Sequence, residues 1–201
     1  MERCQGQPLS AVASPARELR QTVFMAAIAR FTTTEASSDC LEQIRTLFFT
    51  AFDETFSDRD WEHALGGWHV VVNDGGVVIA HAAVVPRVLE VAGRPFRTGY
   101  VEGVATDPAR QREGLGSEAM GEVSQLLRSE FEMGALSTSV HGFYERLGWR
   151  RWCGPTYARY GSELVRTEEE DGGVMALPFG PSKDIDPTAS ISCQSRLGDD
   201  W

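Results

Sequence analysis

The chain has 201 residues, 42% of them hydrophobic, and a net charge of −10. That is enough for one domain with a real core, and its acidity argues against a nucleic-acid binder, which needs a basic face. No apolar run approaches the ~20 residues of a membrane-spanning helix. An acidic cleft would concentrate a cationic ligand, although acidity alone equally marks an ordinary soluble surface. The four cysteines, Cys4, Cys40, Cys153 and Cys193, show neither a CxxC pair nor a histidine at zinc spacing. They are expected to be reduced thiols of a cytoplasmic protein without a metal site.

Residues 1–24 are mostly small or polar and are expected to form a disordered extension, with the folded domain spanning 25–201. A first helix should start near Ser38 or Asp39, because Leu41, Ile44, Leu47, Phe48, Ala51 and Phe52 recur on one face. A short second helix should follow, with Ser57 as cap, Asp60 at its third position and Gly66 at its end. From Trp68 the pattern turns extended. Trp68–Val72, Val77–Val85 and Phe96–Ala105 are separated by Asn73-Asp74-Gly75-Gly76 and Ala92-Gly93-Arg94-Pro95. This reads as an antiparallel meander of three strands. A helix over Leu115–Phe131 comes next, then a strand at Ala135–Ser139, a helical turn at Phe143–Leu147 and an extended Trp149–Trp152. Thr167–Asp171 is an acidic loop, and Val174–Leu177 and Ala189–Cys193 are further strands. The fold class is α/β (α+β), a mixed and mostly antiparallel sheet with flanking helices.

Gly99–Gly116 is the most informative stretch: a strand, the segment DPARQREGLG, and a helix. In Gln111-Arg112-Glu113-Gly114-Leu115-Gly116 the glycines permit close backbone approach, and successive N–H groups precede a partially positive helix end. That arrangement suits a pyrophosphate, with Arg110 and Arg112 adding charge. A glycine-rich turn of no special purpose would look the same in isolation. Tight turns before the loop exclude a dinucleotide-binding βαβ unit, and no Gly-Lys-Ser/Thr follows as in a Walker loop. Tyr144 lies in HGFYERLGW, where a phenol could protonate a leaving thiolate or could simply fill the core. Glu102 interrupts the apolar strand Tyr100-Val101-Glu102-Gly103-Val104. It is either a functional acid or a side chain on the solvated face, and Gly103 beside it hints at a bulge. Of the histidines, His63 and His69 read as structural, His81 has no evident role, and His141 lies close to Tyr144 in the chain.

Strand, glycine loop and helix together resemble the central unit of GNAT N-acetyltransferases. The blocks DWEHALGGWHVVV, IAHAAVV, GYVEGVA, GALSTSVHGFYERLGW, EEEDGGVM and the final GDDW resemble, more narrowly, the aminoglycoside 2′-N-acetyltransferases, from about Ile28 to Trp201. The resemblance implies acetyl transfer from acetyl-CoA to the 2′-amine of aminoglycosides, conferring resistance, in a metal-free enzyme that could be a homodimer. It implies that Val104 and Thr106 hold the pantetheine arm and that Gln111, Arg112, Glu113, Gly114, Leu115 and Gly116 hold the pyrophosphate. Tyr144 corresponds to the general acid and Glu102 to the base, acting through water. Asp60, Glu102, Gly103, Ser137, Glu170, Asp199 and Trp201 correspond to drug-binding positions, with the terminal carboxylate taking part. Two positions depart from the pattern. Thr55 replaces an acidic residue, for which Asp53 or Glu54 could substitute, and Glu170 replaces an aspartate, leaving Asp171 as its rival. The competing readings are a related enzyme for another amine, such as a cell-wall amino sugar or a protein, and a non-catalytic drug binder.

Overall fold

The computed structural model describes residues 26–52 and 56–201. The expected extension at 1–24, and Asp53, Glu54 and Thr55, lie outside the described residues. Helix α1 (Ser38–Phe52) buries Ile44, Leu47 and Phe48, the face its spacing predicted. Helix α2 (Asp58–His63) opens on a reciprocal capping box: the Ser57 side chain accepts from the Asp60 N–H, and Asp60 accepts from the Ser57 N–H. Strands β2 (Trp68–Asp74), β3 (Val77–Val91) and β4 (Arg94–Thr106) form the meander. Its hairpin turns fall on Gly75-Gly76 and Ala92-Gly93, where both residues of each turn have positive φ. That conformation suits a two-residue connection between twisted strands. Helix α3 (Leu115–Glu130) packs Ala119, Met120, Val123, Leu126 and Leu127 onto the sheet.

The remaining elements are β5 (Met133–Ser137), α4 (His141–Glu145), β6 (Arg150–Arg151), β7 (Thr156–Tyr160), β8 (Glu163–Arg166), β9 (Val174–Pro178) and β10 (Ile191–Gln194). The ten-stranded sheet runs β6-β9-β5-β4-β3-β10-β7-β8, and β2 pairs with β3 and with β1 (Ala27–Thr32). All its pairs are antiparallel except β4–β5 and β10–β7. One core lies under α3, a second under α1, and a third gathers Tyr100, Trp152 and Trp201.

Several elements differ from the sequence expectation. β1 was not foreseen: its six residues are mostly exposed or half-buried and carry too weak an alternation to stand out. The hairpin β7–β8 adds two strands to those expected; Thr156 and Ala158 alternate inward and Gly161 supplies its turn at φ 61°. The strand expected at Ala135–Ser139 begins two residues earlier, at Met133, with Gly134 inside it. The turn expected at Phe143–Leu147 starts at His141, and the last strand starts at Ile191 rather than Ala189.

Candidate active site

β4 and β5 are paired only from Thr98 to Tyr100, opposite Met133 to Ala135. Beyond that point the two strands separate, and the backbone of β4 from Val101 onward faces a wedge. On the other edge of β4 the register with β3 slips: Ala83 pairs with Glu102 but His81 pairs with Ala105. Gly103 takes φ 54° at this bulge, and a Cβ there would lie 2.3 Å from Phe48 Cζ. Both the backbone and the contact therefore demand glycine. The bulge inserts one residue into the alternation, so Val101 and Val104, three apart, both pack toward the α3 core.

The segment from Asp107 to Gly116 joins β4 to α3. Gly114 is the helix N-cap at φ 92°, and it has no side-chain cap bond to the first turn. Nothing lies within 4 Å of a Cβ built there, so the glycine serves conformation rather than space. Gly116, by contrast, is tight: its Cβ would lie 3.1 Å from Thr106 Oγ1 and 3.6 Å from Phe143 Cζ. The loop thus meets the end of β4 and the base of α4. Arg112 takes φ 69° and stands in no ion pair with the described residues. Arg110, one of the two arginines expected to add positive charge, is taken up in ion pairs. Its guanidinium donates to Asp74 Oδ2 (2.9 Å) and Glu113 Oε2 (2.8 Å), which fixes the loop to the β2–β3 turn. Glu113 is spent in the same pair, and the Leu115 side chain is buried in the core, leaving their backbone N–H groups for a ligand.

Tyr144 is 8% exposed and packs edge-on against Phe143 and Trp149, at centroid distances of 4.9 and 6.2 Å. Burial pushes its phenol up to about 12, so it keeps its proton throughout the neutral range. His141, near Tyr144 in sequence, bridges instead to the Gly172 carbonyl at 2.6 Å and ties α4 to the acidic loop.

Glu102 does not point off a solvated face. Its side chain is 18% exposed, and Arg196 Nη1 donates to Oε1 at 2.7 Å. Burial raises the proton affinity of Glu102, and Arg196 opposes that rise. Arg196, which sequence reasoning missed, also donates to the carbonyls of Asp199 (Nε, 2.6 Å) and Trp201 (Nη2, 3.1 Å). It therefore folds the last residues back onto β4. Trp201 is 5% exposed, donates from Nε1 to Thr167 Oγ1, and lies in the Tyr100–Trp152 core. The alternative of a frayed end is excluded. His63 bridges to the Leu197 carbonyl at 2.7 Å, so α2 holds the tail from its other side.

The two rivals in the acidic loop occupy different places. Asp171 accepts from both Arg166 terminal nitrogens and from the Thr156 N–H and hydroxyl, and the Arg166 bond leads in depressing its carboxyl to about 2. It is a structural brace. The Glu170 carboxylate accepts from Ser137 Oγ at 3.3 Å; burial and then the Asp199 carboxylate raise its proton affinity. Neither Glu170 nor Asp199 stands in an ion pair among the described residues. Asp60 takes the capping position, its Oδ2 accepting from the N–H and the hydroxyl of Ser57 at 2.7 Å each.

His69 and His81, both fully buried, lie beneath the bulge with His69 Nδ1 and His81 Nε2 2.9 Å apart. Burial lowers their imidazoles to about 4 and about 3, so both are neutral in the folded protein. An unfolded chain takes up protons at these side chains below pH ~6.5. Their stabilising contribution is therefore complete above that pH and is lost as pH falls toward 4. Stability should drop by up to ~1.4 kcal/mol per pH unit for each histidine. Thermal unfolding in matched buffers should show the midpoint falling between pH 7 and pH 5; an unchanged midpoint would mean that the pair is protonated when folded.

A family model for the acetyltransferase (GNAT) domain matches residues 32–152. An aminoglycoside 2′-N-acetyltransferase of Mycolicibacterium fortuitum is 41% identical over 173 residues, covering 84% of this chain and 89% of that protein. The chain belongs to the aminoglycoside 2′-N-acetyltransferase family of GNAT enzymes. Solved GNAT structures share the fold at low identity. The Escherichia coli acetyltransferase YhbS in complex with CoA superposes with TM-score 0.61 at 16% identity, over 94% of this chain and 98% of that one. A GNAT acetyltransferase of Brucella melitensis in complex with acetyl-CoA gives 0.55 at 19%, over 82% and 94%. For this GNAT acetyltransferase, the wedge between β4 and β5 and the uncapped start of α3 fit a long ligand ending in phosphates. The first offers unpaired strand backbone to an amide-bearing arm, and the second offers free N–H groups to anions. The strongest missed signal is Arg196, a lone basic residue shortly before Gly198-Asp199-Asp200-Trp201 that no local motif marks.

Proposed function

We propose that this acetyltransferase moves the acetyl group of acetyl-CoA to the 2′-amine of deoxystreptamine aminoglycosides. The observation that carries the substrate class is the closeness of the Glu170 and Asp199 carboxylates, neither of which stands in an ion pair among the described residues. Like charges held close raise one another's proton affinity, and a bound polyamine relieves that repulsion. In this reading the rim consists of Asp60, Glu102, Gly103, Ser137, Glu170, Asp199 and Trp201.

Acetyl-CoA supplies an activated thioester whose departing group is a thiolate. Val104 and Thr106 line its arm, and the N–H groups of Gln111–Gly116 hold the pyrophosphate. Glu102 takes up, through a water, the proton that the drug's 2′-ammonium gives up to become the attacking amine. Tyr144 donates to the sulfur as charge builds there. The amine attacks directly. Among the described cysteines Cys193 is buried, its thiol raised to about 11 by burial, and none lies in the wedge motif, so an acetyl-enzyme has no evident nucleophile.

The test is mass spectrometry after incubation with acetyl-CoA. A drug with a free 2′-amine should gain one acetyl group, and its 2′-hydroxyl analogue none; equal acetylation of both would overturn the regiochemistry. Gly114→Asp tests the cosubstrate loop. It forces a side chain onto a φ 92° residue and sets a carboxylate beside the helix start. Coenzyme A affinity should fall by at least tenfold in calorimetry, ~1.4 kcal/mol, and an unchanged affinity in folded protein would place the pyrophosphate elsewhere.

A further inference from the structure

The bulge that aims Glu102 creates a problem of its own. A slip in register leaves the Gly103 carbonyl without a ladder partner, and an unpaired buried carbonyl is costly. The partner it finds is a side chain: His81 Nδ1 lies 2.8 Å from Gly103 O. His81 Nε2 meets His69 Nδ1 at 2.9 Å, and His69 Nε2 meets Thr33 Oγ1 at 2.9 Å. Thr33 Oγ1 in turn accepts from the Gly66 N–H at 3.0 Å.

With both rings neutral these contacts admit one set of proton positions, in which the Thr33 hydroxyl proton goes to His69 Nε2 at 2.9 Å rather than to the Gly67 carbonyl at 3.3 Å. A carbonyl only accepts, so His81 carries its proton on Nδ1 and must accept at Nε2. His69 therefore carries its proton on Nδ1 and accepts at Nε2 from the Thr33 hydroxyl. Each member fixes the tautomer of the next, from the Gly66 N–H to the Gly103 carbonyl. Phe48 closes over the assembly, its ring 4.9 Å from that of His81 and its edge against Gly103.

We propose that the His69–His81 pair is a positioning device that locks the Gly103 bulge and thereby sets the aim of Glu102 at the acceptor amine. The pair touches no substrate. It acts through the strand, because a register restored to regular pairing would exchange the faces of Glu102 and its neighbours. The inference rests on the acetyl-transfer reading for its kinetic consequence, but not for its structural one.

Two readouts separate the two. In protein labelled with 15N-histidine, both imidazoles should report the neutral Nδ1–H tautomer; an Nε2–H tautomer at His81 overturns the lock. In backbone amide spectra His81→Leu should move the Glu102, Gly103 and Val104 resonances. His81→Asn, whose amide nitrogen reproduces the Nδ1 donor, should leave them near wild type. Kinetically, His81→Leu should lower kcat/KM for the drug by about tenfold or more, with KM for acetyl-CoA unchanged, and His81→Asn should recover most of the loss. If His81→Leu does not fold, His69→Leu and His69→Asn give the same contrast one step further from the site. Wild-type enzyme that acetylates no aminoglycoside sinks the proposed function, while the tautomer and amide shifts still decide the lock. Active wild type with Leu and Asn variants behaving alike sinks the positioning role.

Discussion

Tyr144→Phe is expected to lower kcat by about 10²-fold, ~2.7 kcal/mol, with little change in either KM. The size follows from the acidities involved. Buried Tyr144 is held up to about 12, whereas an alkyl thiol ionises near ~8.5. Complete proton transfer from phenol to a free thiolate would run uphill by more than three pH units. In the proposed mechanism the phenol therefore acts as a hydrogen-bond donor that strengthens as the C–S bond breaks, and any full proton transfer comes late. A thiolate is a tolerable leaving group without help, so the loss should be substantial but bounded. The phenyl ring keeps the contacts with Phe143 and Trp149, so folding should be spared. Single-turnover rates would show whether chemistry is the step affected. A variant within about threefold of wild type would mean that water protonates the sulfur.

Local signals carried much of this fold and of the proposed cosubstrate site because those residues sit on one continuous segment. Glu102, Gly103, the loop to Gly116 and α3 are consecutive, and a glycine beside a strand carboxylate was already a reason to expect a bulge. Elements that owe their form to distant partners were harder to read. β1 is specified by pairing with β2 across forty residues of chain, and its own six residues say little. Arg196 meets Glu102 across 94 positions, and neither neighbourhood announces the other. His81 looked idle because a histidine in an apolar strand has no local meaning; its function lies in what it accepts from His69 and donates to a carbonyl 22 residues on. In the acidic loop, composition could not choose between Glu170 and Asp171, since the choice is made by Arg166 folding onto Asp171.

Glu102→Gln is expected to lower kcat/KM for the drug by about 10²-fold and to remove one ionisation from its pH profile. In the wild type, activity should rise with pH for two reasons: Glu102 loses its proton, and the drug's 2′-ammonium does. Burial places the first of these steps above the ordinary carboxylate range, and Arg196 restrains it. Glutamine keeps the shape and an acceptor for Arg196 Nη1 while removing the charge, so only the limb due to the drug should remain. The Arg196 pair sharpens the test. With Arg196→Met, Glu102 loses the cation that stabilises its charged form but stays as buried as before. Its carboxyl should then hold its proton to higher pH, and the lower limb of kcat/KM should move upward. That displacement has a sign only if the limb belongs to Glu102. The Arg196→Met variant also releases the Asp199 and Trp201 backbone oxygens, so its drug KM should rise through loss of the tail, whereas the displacement of the lower limb reports on Glu102, since the drug's own ionisation is the same for both enzymes. A Glu102→Gln profile that superimposes on wild type, or an Arg196→Met profile that shifts downward, would remove Glu102 from proton transfer and leave it a drug-binding charge.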